Sequence, residues 1–322
     1  MSDLNIGGQA VIEGVMMRSA DLVATAVRIP NGQILVKTEP YRPLSSRYKL
    51  LKLPILRGAV AFVEMLIIGI RTLNFSAEVA VRELEKQEAL DKGEKVEPAS
   101  KSSSRLWLAF SAVFALGAGI FIFFFLPLAI SSWFDVDRSA IGFNLAAGGI
   151  RLAMFLAYIW LISLFGEFKR VFQYHGAEHK SIFAYEMNDE LTPESAAGHT
   201  RFHPRCGTSF ILIVALLAIL VYAIADTVYS ISAGHAPELA TRFAIHFSML
   251  PIVAGASYEL LKLSGRTRDN AVTRLLIQPG LWLQRITTKE PTAAQLEVAI
   301  VALETALGIK ESRVESERVP VS

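Results

Sequence analysis

The chain has 322 residues, of which 52% are hydrophobic and 19% are charged, and its formal net charge is +2. Such a small net charge excludes the extensive phosphate contacts that drive nucleic-acid binding, so we expect no nucleic-acid partner. The single cysteine, Cys206, excludes an internal disulfide framework.

Two long stretches of the sequence, 106–134 and 207–225, contain no charged side chain. Both have about the length of roughly 20 apolar residues that a helix needs to cross a bilayer. Ordinary core helices of soluble proteins seldom have uncharged runs of this length. These stretches therefore indicate an integral membrane protein, with the lipid bilayer as a partner.

Two further stretches, 143–168 and 240–262, are long enough to span a membrane but carry polar side chains. We expect Arg151 near the outer end of its helix and His246 in a hydrogen bond to another helix. The fold class is therefore mainly α, a polytopic membrane protein with about four transmembrane helices.

The loops between these stretches differ in their basic residues. The 226–239 loop has no Lys or Arg, whereas the 167–206 loop has five, at positions 169, 170, 180, 201 and 205. Because basic loops stay on the cytoplasmic side, we expect a multi-pass protein of the cell membrane with both termini in the cytoplasm.

Within the stretch Leu53 to Val81, the charged residues Arg57, Glu64 and Arg71 follow one another at intervals of seven residues. Each would cost at least about 2.5 kcal/mol in a lipid-exposed helix. We therefore predict an interfacial amphipathic helix, or one packed against the bundle, in place of a fifth span.

The remaining segments complete the domain organisation. Alternating residues from Val23 to Ile29 and from Gln33 to Thr38 predict a β-hairpin. A capping box of Thr292 and Gln295 predicts the start of an amphipathic helix that ends at Gly308. We expect an N-terminal cytoplasmic β-hairpin region (1–52), the interfacial or bundle-packed helix (53–84), a flexible linker (85–105), a four-span membrane domain (106–262) containing a cytoplasmic metal loop (167–206), a C-terminal cytoplasmic helical segment (263–309) and a disordered tail (310–322).

The sequence HGAEH at 175–179 is the first element of a candidate site. On a helix, His175 and His179 lie on one face, close enough to bind one metal ion. Glu178 gives the H-x-x-E-H order of inverted zinc metallohydrolases, in which the carboxylate acts as a general base. The motif predicts a metal site with Glu178 as the catalytic residue.

The second element is HPRC at 203–206, which precedes the second uncharged stretch. Imidazole and thiolate ligands favour zinc, or another transition metal, over magnesium and calcium. We expect His175, His179 and His203 to bind the metal. Cys206 either completes a closed structural site or leaves a position open for water.

Two further residues are additional candidates. His199 lies four residues before His203, and Glu259 lies at the cytoplasmic end of the last span. Each candidate has a simpler alternative, because histidines are common on helix surfaces, Cys206 is compatible with an apolar core, and Glu259 is able to pair with Lys262. The glycine-rich stretch 7–18 lacks the Gly-Lys-Ser/Thr ending of a phosphate loop and predicts no specific role.

Four sequence motifs resemble those of the bacterial YqhQ-like family, a domain of unknown function described as a predicted metal-dependent membrane enzyme. They are GGQAVIEGVMMR at 7–18, YHGAEHKSIFAYE at 174–186, RFHPRCGTSF at 201–210 and PGLWLQRITTKEP at 279–291, joined by LEVAI at 296–300. The resemblance implies a membrane location and a bound metal, and it supplies no substrate.

The leading functional hypothesis is a zinc-dependent hydrolase that acts at the cytoplasmic membrane face on a peptide or lipid-linked substrate. The alternative is a non-catalytic scaffold or assembly factor, stabilised by metal, that binds other proteins. A third hypothesis is transport along a path lined by Arg242, His246 and Glu259, although the sequence shows no inverted repeat.

Overall fold

The computed structural model describes residues 6–92, 101–134, 140–266 and 270–309. It is mainly helical, as predicted, with a small N-terminal antiparallel sheet. The strands are β1 (Gly7–Val11), β2 (Gly14–Arg18), β3 (Leu22–Arg28) and β4 (Ile34–Pro40). The helices are α1 (Leu44–Arg47), α2 (Leu56–Lys92), α3 (Lys101–Ile120), α4 (Leu126–Trp133), α5 (Ala140–Ile162), α6 (Gly166–Glu186), α7 (Pro193–Ala197), α8 (Gly207–Ala233), α9 (Leu239–Arg266), α10 (Ala271–Thr287) and α11 (Ala293–Leu307).

The sheet is a meander with strand order β1-β2-β3-β4. Strands β3 and β4 are the predicted hairpin, with bounds that differ from the prediction by one or two residues. The glycine-rich stretch 7–18, which predicted no role, forms the other hairpin, β1 and β2. A Cβ atom on Gly14 would lie 2.1 Å from the carbonyl oxygen of Ala26, so the close approach of β2 and β3 requires glycine there.

Helices cover both faces of this sheet. On one face, Val15 and Met17 pack against Tyr174 of α6 and Leu296 of α11 in the main hydrophobic core. On the opposite face, a smaller core packs against α2; its members are Met16, Val23, Tyr41, Met65 and Ile68. Alternate residues of β2 therefore pack into two cores, which is why its first four residues are all buried.

Within the described residues, four helical segments are long and apolar enough to cross a membrane: Val113–Trp133, Ile141–Ile162, Gly207–Ala233 and Leu239–Leu263. They agree in number and position with the four predicted spans. The first is a continuous helix in which a π-helical turn, Phe121–Phe125, joins α3 to α4.

Arg151 is the one polar residue that the sequence analysis misplaced in these segments. It occupies the middle of the 23-residue helix α5, and its Nε donates to the carbonyl oxygen of Phe123 at 2.9 Å. Pro127, four residues after Phe123, has no N–H to donate to that carbonyl. Arg151 therefore lies in the interior of the bundle because it satisfies a backbone group that proline leaves free.

A second polar cluster joins three spans toward the C-terminal end of α8. The Asp226 carboxylate accepts a hydrogen bond from Asn144 of α5 at 2.8 Å and contacts His246 and Arg242 of α9, each at 3.0 Å. Asp226 and His246 are fully buried. The predicted interhelical hydrogen bond of His246 is present in this cluster.

The charges of α2 also have partners that the sequence did not indicate. Arg57 forms an ion pair with Glu259 of α9. Glu64 accepts a hydrogen bond from the backbone N–H of Leu44 at 2.6 Å. These charges thereby join α2 to its neighbours.

The predicted linker 85–105 is wrong for its first residues, because α2 continues as a helix to Lys92. Lys86 lies 3.7 Å from Glu83 and Lys92 lies 3.9 Å from Glu88, which are helix-stabilising spacings. Residues 101–105 are helical as well, whereas 93–100 and the predicted tail, 310–322, lie outside the described residues. The capping box of Thr292 and Gln295 is present at the start of α11, and Gly308 ends that helix with positive φ.

Candidate metal centre

Helix α6 contains the HGAEH sequence, and His175 and His179 lie on one face of it, as their spacing predicts. The helix approaches the chain after α10 very closely, since a Cβ atom on Gly176 would lie 2.1 Å from the carbonyl oxygen of Lys289. Gly176 therefore allows α6 to pack against this chain. The close packing brings His175 to the end of α10.

Three potential metal ligands converge between α6 and the start of α8. The nearest donor atoms of His175, His179 and Cys206 all lie within 4.8 Å of one another. Nε2 of His175 is 3.2 Å from the Cys206 sulfur. In a tetrahedral zinc site, zinc–ligand bonds of about 2.0–2.3 Å separate the donor atoms by roughly 3.3–3.6 Å. The group is therefore close to the size that zinc requires.

The other nitrogen of each imidazole is held by the backbone. Nδ1 of His175 donates to the carbonyl oxygen of Thr287 at 2.8 Å, and Nδ1 of His179 donates to that of Arg201 at 2.5 Å. This assignment of tautomers directs both Nε2 atoms toward Cys206. Nε2 of His179 is buried and, among the described residues, has no hydrogen-bond partner.

Cys206 is the N-cap residue of α8. Its sulfur accepts a hydrogen bond from the backbone N–H of Thr208 at 3.4 Å and lies 3.1 Å from the Thr208 hydroxyl. Burial alone would raise the pKa of the thiol, but His175 and His179 outweigh burial and hold it well below its usual value. Burial lowers the pKa of His175, but its contact with Cys206 more than compensates and raises it to about 9.

Glu178 is buried beside these ligands, with 5% of its surface exposed. It packs on Gly8 of β1, where a Cβ atom would lie 2.7 Å from Oε1 of the carboxylate. Burial raises the pKa of the Glu178 carboxyl, and the two neighbouring histidines oppose that change only in part. The glycine-rich hairpin therefore forms one wall of the site, which the sequence analysis did not anticipate.

The remaining predicted site residues lie around this group or away from it. His203 is adjacent, with its ring 5.6 Å from that of His179, but it is outside the convergent set and faces Glu186 at 3.5 Å. His199 contacts Asp189 at 2.8 Å. Glu259, paired with Arg57, is also outside the set. The structure thus favours Cys206 over His203 as the third ligand.

Gln284 of α10 is a buried residue that sequence reasoning missed. Its side chain accepts from the backbone N–H of His203 at 2.8 Å and donates to the carbonyl oxygen of the same residue, also at 2.8 Å. It also donates to the Ser209 hydroxyl at 3.1 Å. Gln284 thereby positions the chain that leads to Cys206. Only its place within the PGLWLQR motif singles it out in the sequence.

This arrangement is compatible with two kinds of chemistry. Two imidazole nitrogens and one thiolate form a soft donor set for zinc or a related transition metal. A thiolate at a helix N-terminus beside a histidine is also an activated nucleophile. The nucleophile needs only His175, whereas a metal also accounts for the unpartnered Nε2 of His179. The residues therefore fit a metal.

Comparison with known proteins gives the family. The model of the family described as "Protein of unknown function (DUF1385)" matches residues 53–309. The chain belongs to the DUF1385 family. It is similar to the uncharacterized protein YqhQ of Bacillus subtilis (strain 168), with 37% identity over 298 residues that cover 91% of this chain and 89% of that protein. No solved structure matches the chain. The DUF1385 match includes both the HGAEH and the HPRC motifs, whereas the hairpin that contains Gly8 precedes it.

Proposed function

We propose that this protein is a zinc-dependent hydrolase that works at a membrane surface. The observation that carries the proposal is the convergence of His175, His179 and Cys206, with Glu178 buried beside them. Three protein ligands leave one tetrahedral position for water or substrate, as in catalytic zinc sites. Bound zinc would supply Lewis-acid activation and would lower the pKa of water.

Each residue has a distinct role in this proposal. His175, His179 and Cys206 hold the metal through Nε2, Nε2 and sulfur. The carbonyl oxygens of Thr287 and Arg201 orient the two imidazoles. Glu178 accepts a proton during hydrolysis, and its raised pKa suits a group that must bind and release a proton near neutral pH.

The position of the site supports a substrate class. Cys206 directly precedes α8, one of the four helices able to cross a membrane, so the metal would lie at the end of that helix. A substrate bound there would itself be at the membrane surface. We propose a peptide or a lipid-linked molecule as the substrate.

The test uses the full chain in lipid nanodiscs, loaded with zinc and incubated with a bacterial membrane extract. Products are identified by mass spectrometry for the wild type, Glu178→Gln and Glu190→Gln. Glu190 is an exposed carboxylate on the segment that follows α6, so its variant is the matched control. Zinc content is measured in every sample.

The proposal expects products from the wild type and from Glu190→Gln. Glu178→Gln should keep its zinc but lose at least about a hundredfold in rate, which is within the usual contribution of a general base. Full activity of Glu178→Gln would contradict the role of Glu178 as the general base. A zinc-loaded wild type that forms no product would contradict the proposed hydrolase activity.

A metal-stabilised scaffold is a second candidate function. It is favoured by the number of elements that meet at the site. Hydrogen bonds join α6 to α10 and to the 198–206 loop, and join α10 to that loop and to α8. In this case His203 would move to become a fourth ligand and close the site. The scaffold predicts that Cys206→Ser lowers zinc affinity and thermal stability together.

A further inference from the structure

The segment between the sheet and α2 has an unusual charge distribution. Four cations lie on it: Arg42, Arg47, Lys49 and Lys52. All four are exposed, and among the described residues none of them forms an ion pair. No acidic residue occurs between Glu39 and Glu64.

The two acidic residues that flank this segment already have partners. Glu39 forms an ion pair with Lys37 at 2.7 Å. Glu64 accepts from the backbone N–H of Leu44 at 2.6 Å and holds the segment against α2. Within the part of the chain that the structure describes, no acidic side chain therefore compensates the four cations.

Large apolar side chains alternate with these cations and are exposed as well. Tyr48 is 58% exposed, Leu50 is 71% exposed and Leu53 is 52% exposed. A soluble surface segment would gain nothing from exposing three such side chains in succession. Basic and apolar side chains presented together are typical of segments at a membrane surface.

The apolar surface continues from this segment along α2. Phe62, Leu66 and Ile70 are exposed on the helix, whereas Met65 and Ile68 pack on the sheet. The start of α2 contacts the last candidate span, since a Cβ atom on Gly255 would lie 2.2 Å from the carbonyl oxygen of Ile55. The 42–53 segment therefore lies next to the end of a helix that is able to cross a membrane.

We propose that the 42–53 segment is a docking surface for anionic phospholipids. Its four cations contact headgroup phosphates, while Tyr48, Leu50 and Leu53 enter the boundary between headgroups and acyl chains. The favoured partner is a lipid surface because the apolar face of α2 continues the surface directly from this segment. The docking surface involves no residue of the metal site.

The experiment measures lipid bound to the full chain by native mass spectrometry, in detergent that contains equal amounts of phosphatidylglycerol and phosphatidylcholine. The test variant is Lys49→Gln/Lys52→Gln. The matched control is Lys86→Gln/Lys92→Gln, which removes two cations that have acidic neighbours on α2. Size-exclusion profiles establish that both variants are folded.

The wild type should prefer phosphatidylglycerol. The Lys49→Gln/Lys52→Gln variant should lose that preference by at least about tenfold, since one basic side chain at an anionic surface contributes roughly fivefold. The control should keep the preference, and Leu50→Ser should weaken binding of both lipids. Equal losses in the two double variants, or no lipid preference in the wild type, would overturn the proposal.

Discussion

Helix α8 connects two buried polar clusters that differ in how their atoms are satisfied. Cys206 precedes the helix and Asp226 lies near its other end, about 30 Å away at 1.5 Å per residue. Around Asp226, donors from Asn144, Arg242 and His246 all point at one carboxylate. Opposite charges meet there, so the Asp226 carboxylate is paired without a ligand, although Nδ1 of His246 has no hydrogen-bond partner among the described residues.

Around Cys206, by contrast, the converging atoms are all potential electron-pair donors. Two imidazole nitrogens and a sulfur present electron pairs to one another, and the Nδ1 protons are donated to carbonyl oxygens outside the group. Under the proposed function, this group holds a zinc ion at its centre. The Cys206 sulfur, 3.2 Å from Nε2 of His175, raises the pKa of that imidazole to about 9, which favours a proton between the two atoms. The first cluster joins helices, and we propose that the second binds a metal ion.

The largest effect is expected for a substitution that disrupts the Asp226 cluster. Asp226→Ala would leave Arg242 and His246 buried without their carboxylate, which costs about 3–5 kcal/mol. For a chain of this size, the melting temperature should fall by about 10 °C. Differential scanning fluorimetry on the detergent-purified protein measures it. Glu238→Ala, an exposed residue near the same end, is the control and should leave the melting temperature unchanged.

Zinc content sharpens this prediction. Because the cluster lies far from Cys206, folded Asp226→Ala protein should bind as much zinc as the wild type. Selective loss of zinc at a temperature where the variant is folded would show that the two clusters act as one unit.

The second expected effect concerns the chain that carries Cys206. Gln284→Ala would remove both hydrogen bonds to the His203 backbone and should weaken zinc binding by about 10–100-fold, as loss of a residue that orients ligands does. Competition with a fluorescent chelator measures the affinity. Gln278→Ala, exposed on the same helix, should have wild-type affinity. If both variants bind zinc equally, Gln284 does not position the site.

A smaller effect is expected at the wall of the site. The Cβ atom of Gly8→Ala would displace Glu178, whereas Gly7→Ala would meet no atom within 4 Å among the described residues. Displacement of the base should lower product formation by about tenfold while zinc remains bound. Mass spectrometry of products and zinc analysis of both variants test this. Equal activity of the two variants would show that Glu178 takes no part in the reaction.

The smallest effect defines the edge of the site. His199 contacts Asp189 and lies outside the convergent group. His199→Ala should therefore keep its zinc and change the free energy of unfolding by less than about 1 kcal/mol, as for a partly exposed ion pair. Chelator competition and thermal unfolding check both quantities. A tenfold loss of zinc affinity would place His199 among the ligands.

Several features of the fold follow directly from sequence patterns. Two of the four candidate spans are visible because charge is absent over lengths that match a bilayer, and the other two because they are long and apolar apart from a few polar side chains. The cap of α11 depends on a local pattern, Thr292 and Gln295, that acts within one helical turn. His175 and His179 share a face because their spacing is close to one helical turn.

Other features depend on contacts between distant parts of the chain. Gly8 and Glu178 are 170 positions apart, and only the packing of β1 on α6 brings them together. The choice of Cys206 over His203 depends on the direction in which Gln284 holds the 203–206 chain. Arg151 was misplaced because its partner, the Phe123 carbonyl, is a backbone group freed by a proline in another helix.

The most direct test of the metal centre is elemental mass spectrometry of the full chain, purified without a histidine tag. We predict about one zinc per wild-type chain and none in folded His175→Ala/His179→Ala protein. Wild-type protein that is folded but free of metal would contradict it. So would a double variant that keeps its zinc.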